Sequence, residues 1–140
     1  MQMNKSDLEV LTGIRLAEAK CLLQNGFYHG ADYLCGYAVE CALKACIAKN
    51  VAEFQFPDKK LAMDSHVHDL TKLMQVASLQ LSHRQLAAQD GQFDIFWTVM
   101  KDWSEQLRYE TTISRAMAEQ LIEAAENNQS GVLKWVRSHW

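Results

Sequence analysis

Residues 30–48, GADYLCGYAVECALKACIA, constrain this chain more than any other stretch. Leu, Ala, Lys and Glu favour helix, and no Pro interrupts the run. The segment is apolar on nearly every side, which predicts a helix at the centre of the fold. It also carries Tyr33, Tyr37, Glu40 and Lys44 at steps of four, three and four, so all four share one stripe. Removing ionisable groups from water is costly unless they are paired, so such groups either pair or line a cleft. Glu40 and Lys44 could form an ordinary i,i+4 ion pair on a solvated edge. Alternatively, the tyrosines could stack on a ligand while Lys44 holds an anion.

The chain has 140 residues, consistent with one helical domain over 1–140. One Pro and six Gly leave little room for a turn-rich all-β fold. A net charge of −3 argues against broad, charge-driven nucleic-acid binding but leaves room for a local basic groove. The start, MQMNKSDLEV, has charges where a secretory signal needs an apolar run, and no apolar run approaches the ~20 residues that span a bilayer. A cytoplasmic protein without a membrane partner is expected. Cys21, Cys35, Cys41 and Cys46 form no CxxC pair and read as reduced thiols that pack as small hydrophobes.

A first helix is expected over Ser6–Asn25, with Ser6 as N-cap and Glu9 completing a capping box. Leu8, Leu11, Arg15, Ala19 and Leu22 follow its period. The second helix runs from Tyr28 to Asn50 and turns Phe27, Ala31, Leu34, Ala38, Cys41, Ala45 and Ala48 inward. Residues 51–65, with Pro57, read as a long loop. A third helix starts near His66–Asp69, and a short one covers Ser82–Gln89. The next runs from Phe93 to Arg108, where Phe93, Phe96, Met100, Trp103 and Leu107 form a stripe and Trp97 lies off it. That breadth suggests that Phe93, Phe96, Trp97, Met100 and Trp103 supply a dimer or partner face. A helix over Ser114–Asn127 follows, then a last short helix capped by Ser130. The expected fold is all-α, an up-and-down bundle of five or six helices.

His66-Val67-His68-Asp69 suggests metal ligation, yet no further ligands stand out, and Asp69 suits a helix start. No metal site and no cofactor are expected. Arg108, ahead of Tyr109, is a candidate anion ligand because a guanidinium fork matches phosphate. Lys134, Trp135, Arg137, His139 and Trp140 mix base and aromatic, a pattern that suits nucleic acid or, more simply, a docked terminal helix. No phosphate loop, GxSxG or HExxH occurs.

Taken in order, GADYLCGYAVECALKA, HDLTKL, LRYE and the ending GVLKWVRSHW resemble the small prokaryotic members of the HEPN-domain family. That resemblance implies a helical bundle, often dimeric, and often encoded beside a minimal nucleotidyltransferase, sometimes as a toxin–antitoxin pair. Ribonuclease branches of the family carry an Arg followed four to six residues later by a His. No such spacing follows Arg15, Arg84, Arg108 or Arg115, and Arg137 precedes His139 by only two. The resemblance therefore implies a non-catalytic homodimer that binds a nucleotide or RNA. Its cleft would be lined by Tyr33, Tyr37, Glu40, Lys44, His68, Asp69, Arg108 and Tyr109. A ribonuclease using His68 and Arg108, or a subunit that acts only by docking, are the alternatives.

Overall fold

The computed structural model describes residues 3–54, 67–104, 106 and 109–140, with only the backbone for 52–54. The described residues form seven helices and no strand: α1 (Lys5–Gln24), α2 (Tyr28–Phe54), α3 (Leu70–Val76), α4 (Gln80–Gln89), α5 (Gly91–Lys101), α6 (Arg115–Glu126) and α7 (Val132–Arg137). The all-α bundle expected from periodicity is the fold observed, with the short α3 and α7 raising the helix number. Among the described residues no helix is long and apolar enough to cross a membrane.

The α2 helix is the axle of the fold. It packs against α1, α3, α6 and α7, while α6 also meets α5 and α7. Ala31, Cys35, Ala38, Val39, Ala42, Leu43 and Ala45 are buried along it. Small side chains let neighbouring helices close in, and Leu43 alone contributes on the order of 1.5–3 kcal/mol by leaving water. Gly36 marks the tightest approach, because a Cβ there would overlap the Trp103 indole. A three-residue link, Asn25–Phe27, turns the chain from α1 into α2, with Gly26 at φ 81°. Phe27 is exposed, so it is not part of the inward face assigned to it.

The caps differ from expectation in informative ways. Asn4, not Ser6, caps α1, and the reciprocal partner is Asp7: Asp7 N donates to Asn4 Oδ1 at 2.8 Å and Asn4 N to Asp7 Oδ2 at 3.2 Å. Asx and Ser are both good caps, and the one nearer the chain start wins by adding two residues to the helix. Ser114 caps α6 as expected of a helix entering there. Ser130 does not cap α7. Its hydroxyl instead donates to Asp90 Oδ2 at 2.7 Å, and Gly131 precedes the helix.

The helix expected to reach Arg108 stops at Lys101. Trp103 N still bonds Met100 O at 3.0 Å, so the chain turns and lays the indole back on α2. This removes the basis for an aromatic docking face. Phe93, Trp97, Met100 and Trp103 are buried in the chain's own core, and Phe96 is half-buried against it. The stripe is broad because α5 meets α4, α6 and α7 at once. Leu107, part of the same expected stripe, lies outside the described residues, as do His66 and residues 55–65 of the segment expected as a loop, whereas residues 51–54 continue α2 past the expected end at Asn50.

The terminal helix is docked. Trp135 is buried, its Nε1 donating to Ser82 Oγ at 3.0 Å, and Trp140 Nε1 donates to Ala42 O at 3.1 Å. Lys49 Nζ donates to the carbonyls of His139 and Trp140, each at 3.4 Å. Cys35, Cys41 and Cys46 are buried free thiols, and burial pushes Cys41 and Cys46 up to about 11. Cys21 is exposed.

Candidate functional site

A helix fixes the spacing of Tyr33, Tyr37, Glu40 and Lys44 before any tertiary contact forms. Tertiary packing then decides which of them meets water. Glu40 is 1% exposed, whereas Tyr33, Tyr37 and Lys44 are half-buried. Lys44 Nζ donates to Glu40 Oε2 at 3.2 Å. The other oxygen, Glu40 Oε1, lies 2.9 Å from His68 Nδ1. One buried carboxylate thus holds a cation from its own helix and an imidazole from a residue 28 positions away.

His68 sits in the extended segment just before α3, and the placement of that segment has a local cause. The Asp69 side chain accepts from Lys72 N at 2.8 Å and caps α3, which anchors the segment carrying His68. Asp69 itself is exposed and its carboxylate is engaged in the cap, so it joins the site only through His68. The ion pair worth a few tenths of a kcal/mol on an exposed helix becomes, around a buried carboxylate, an arrangement whose members depend on one another.

The aromatic part of the stripe is continuous. Tyr33 lies 6.1 Å from Tyr37, and also 6.1 Å from Trp103, between ring centroids. Burial, and next the Glu40 carboxylate, push the Tyr37 phenol up, so it is a hydrogen-bond donor at neutral pH. Arg15 of α1 acts on Tyr37 in the opposite direction and is held by Glu18 Oε1 at 2.6 Å.

Arg15 and Trp103 are the residues that sequence reasoning did not place here. Arg15 interrupts the apolar register of α1, so its position facing α2 was readable. Trp103 was not, because its role depends on α5 ending early. Arg108 lies outside the described residues, and Tyr109 is exposed. The structure therefore brings Tyr33, Tyr37, Glu40, Lys44 and His68 together, with Asp69 as support.

Chemically, this is an open polar step rather than an enclosed pocket. The side chain of His68 is 37% exposed and that of Lys44 22%, against 2% for Glu40. An anion reaching it would meet an ammonium and an imidazole whose positions the carboxylate beneath has fixed. Among the described residues no group of three or more His, Cys, Asp or Glu could hold a metal ion.

A family model described as HEPN domain matches residues 14–139, nearly the whole chain. No curated protein and no solved structure matches it.

Proposed function

The chain belongs to the HEPN family, and on that premise we propose that it is a non-catalytic nucleotide- or RNA-binding module. Its anion site is the Glu40-centred step on α2. The observation that carries this reading is the pair of contacts from one buried carboxylate, 3.2 Å to Lys44 and 2.9 Å to His68. A buried carboxylate needs such partners, and here both partners keep part of their side chains at the surface, where an anion can reach them. An ammonium carries three N–H donors and Glu40 takes one, so Lys44 can also serve a phosphate oxygen. Tyr33 and Tyr37 offer ring faces on which bases can stack, worth about 1–3 kcal/mol per base in comparable sites. The openness of the step suits a polymer that tracks across a surface. Arg108 supplies a second phosphate contact in this reading, and Tyr109 a second stacking face.

The same proposal takes the chain as one domain that forms a homodimer and docks on a minimal nucleotidyltransferase, in the manner of a toxin–antitoxin pair. Light scattering on the purified protein, alone and mixed with that transferase, reads both steps.

Isothermal titration with mononucleotides and with a short single-stranded RNA tests the ligand. Saturable binding to the RNA, weakened about tenfold by Lys44→Ala and by Arg108→Ala, is expected. A folded protein that binds neither would overturn the reading. A ribonuclease is the second reading, favoured by one observation: Glu40 Oε1 at 2.9 Å from His68 Nδ1 is how an acid orients an imidazole for proton transfer. RNA left intact after prolonged incubation rules it out.

A further inference from the structure

A second carboxylate of α2, Asp32, has a different situation from Glu40. It is 5% exposed, and no group among the described residues donates a hydrogen bond to it. It lines a cleft of about 370 Å³ between α2, α5 and α6, a volume within the range of small-molecule sites. Val99, Trp103, Met117 and Leu121 form apolar walls. Asp102 is the other acid of the lining, and among the described residues no Lys or Arg occurs in it.

We propose that this cleft binds a small organic cation with an apolar body, its N–H donors on Asp32 and its body against Trp103 and Leu121. The reasons are independent of the HEPN assignment and of the Glu40 step. The Asp32 carboxylate has no protein donor among the described residues and meets solvent only at the cleft mouth, so a ligand N–H there supplies the donor the fold leaves out. Burial pushes Asp32 up to about 6, so at pH 7.5 it is a carboxylate that needs a counter-charge. Among the described residues His29 is the charge partner acting on it, and it makes no hydrogen bond with it. An indole in the wall adds attraction for an ammonium or guanidinium that neutral molecules lack. The two acids disfavour phosphates and carboxylates, which separates this cleft from an RNA site.

The test is calorimetric titration at pH 7.5 of the full chain with 2-phenylethylamine, tryptamine and agmatine, with 2-phenylethanol as the neutral control. At least one amine should bind in a 1:1 ratio, with the alcohol at least tenfold weaker. Asp32→Asn, nearly identical in shape, should weaken the amine tenfold or more. Val99→Trp leaves Asp32 in place and fills the cleft from its half-exposed wall, and it should abolish binding. Failure of all three amines to bind, equal binding of the alcohol, or undiminished binding by folded Asp32→Asn would each overturn the proposal.

Discussion

Asp32 and Glu40 sit two turns apart on α2, and both are buried acids. Glu40 has two hydrogen-bond partners, and Asp32 has no hydrogen-bond donor among the described residues. The consequence for Asp32 can be signed. Its carboxyl titrates near 3.9 when unfolded and at about 6 when folded, so the native state holds the proton more tightly. Stability from this group is fully present below pH 3.9 and is lost as pH rises through about 6. Asp32→Asn should therefore stabilise the protein at pH 7.5 by roughly 1 kcal/mol, after allowing for solvent at the cleft mouth. The gain should vanish near pH 4. Urea unfolding of both proteins across that range measures it. His83 and His139 are pushed down by burial and oppose the trend, since they lose stability as pH falls. The difference between the two proteins cancels their contribution. A variant less stable than the parent at pH 7.5 would mean that Asp32 has a donor after all.

At the scale of elements, two glycines of similar helical context should respond oppositely. Gly36 lies under the Trp103 indole, where a Cβ has no space. Gly36→Ala should cost about 1–3 kcal/mol by pushing the ring off α2, and should change the near-ultraviolet dichroism of tryptophan. Gly13 is on α1 with nothing near its missing Cβ. Gly13→Ala should stabilise by up to about 1 kcal/mol through helix propensity alone. Thermal unfolding of the two variants decides the matter. The contrast also shows what the sequence could and could not convey. The Tyr33–Lys44 stripe was legible because helical geometry fixes i,i+3 and i,i+4 neighbours from within the segment. His68 was legible as a candidate, but its pairing with Glu40 depends on where α3 is anchored. The Trp103–Gly36 contact was not legible, because periodicity carried α5 past Lys101 and turned a core residue into a surface one. The cap of α1 was misplaced by two residues because Asn4 and Ser6 both satisfy the same chemistry.

At the scale of the molecule, the fold puts its polar investment on one helix. The α2 helix contacts four others, so any group fixed on it is held by most of the bundle. One consequence is that the Glu40 step and the Asp32 cleft share a wall, since Trp103 touches Tyr33 and also lines the cleft. Another is that the apolar aromatics of α5 are already spent inside the chain, so a partner must find its contacts elsewhere. The fold class followed from composition and periodicity. The site came only in part, because a helix stripe shows which residues are neighbours but not which of them remain wet.

The account rests on Glu40 holding Lys44 and His68 for an incoming phosphate. The measurement closest to that claim is titration of a short single-stranded RNA into the parent protein and into Glu40→Gln, at two salt concentrations. Glu40→Gln keeps the shape of the side chain but removes the charge that positions both donors. The account predicts salt-sensitive binding to the parent and at least a tenfold loss in a folded Glu40→Gln. Equal RNA affinity in the two proteins would contradict it, and would leave Glu40, Lys44 and His68 as a network that only holds the bundle in register.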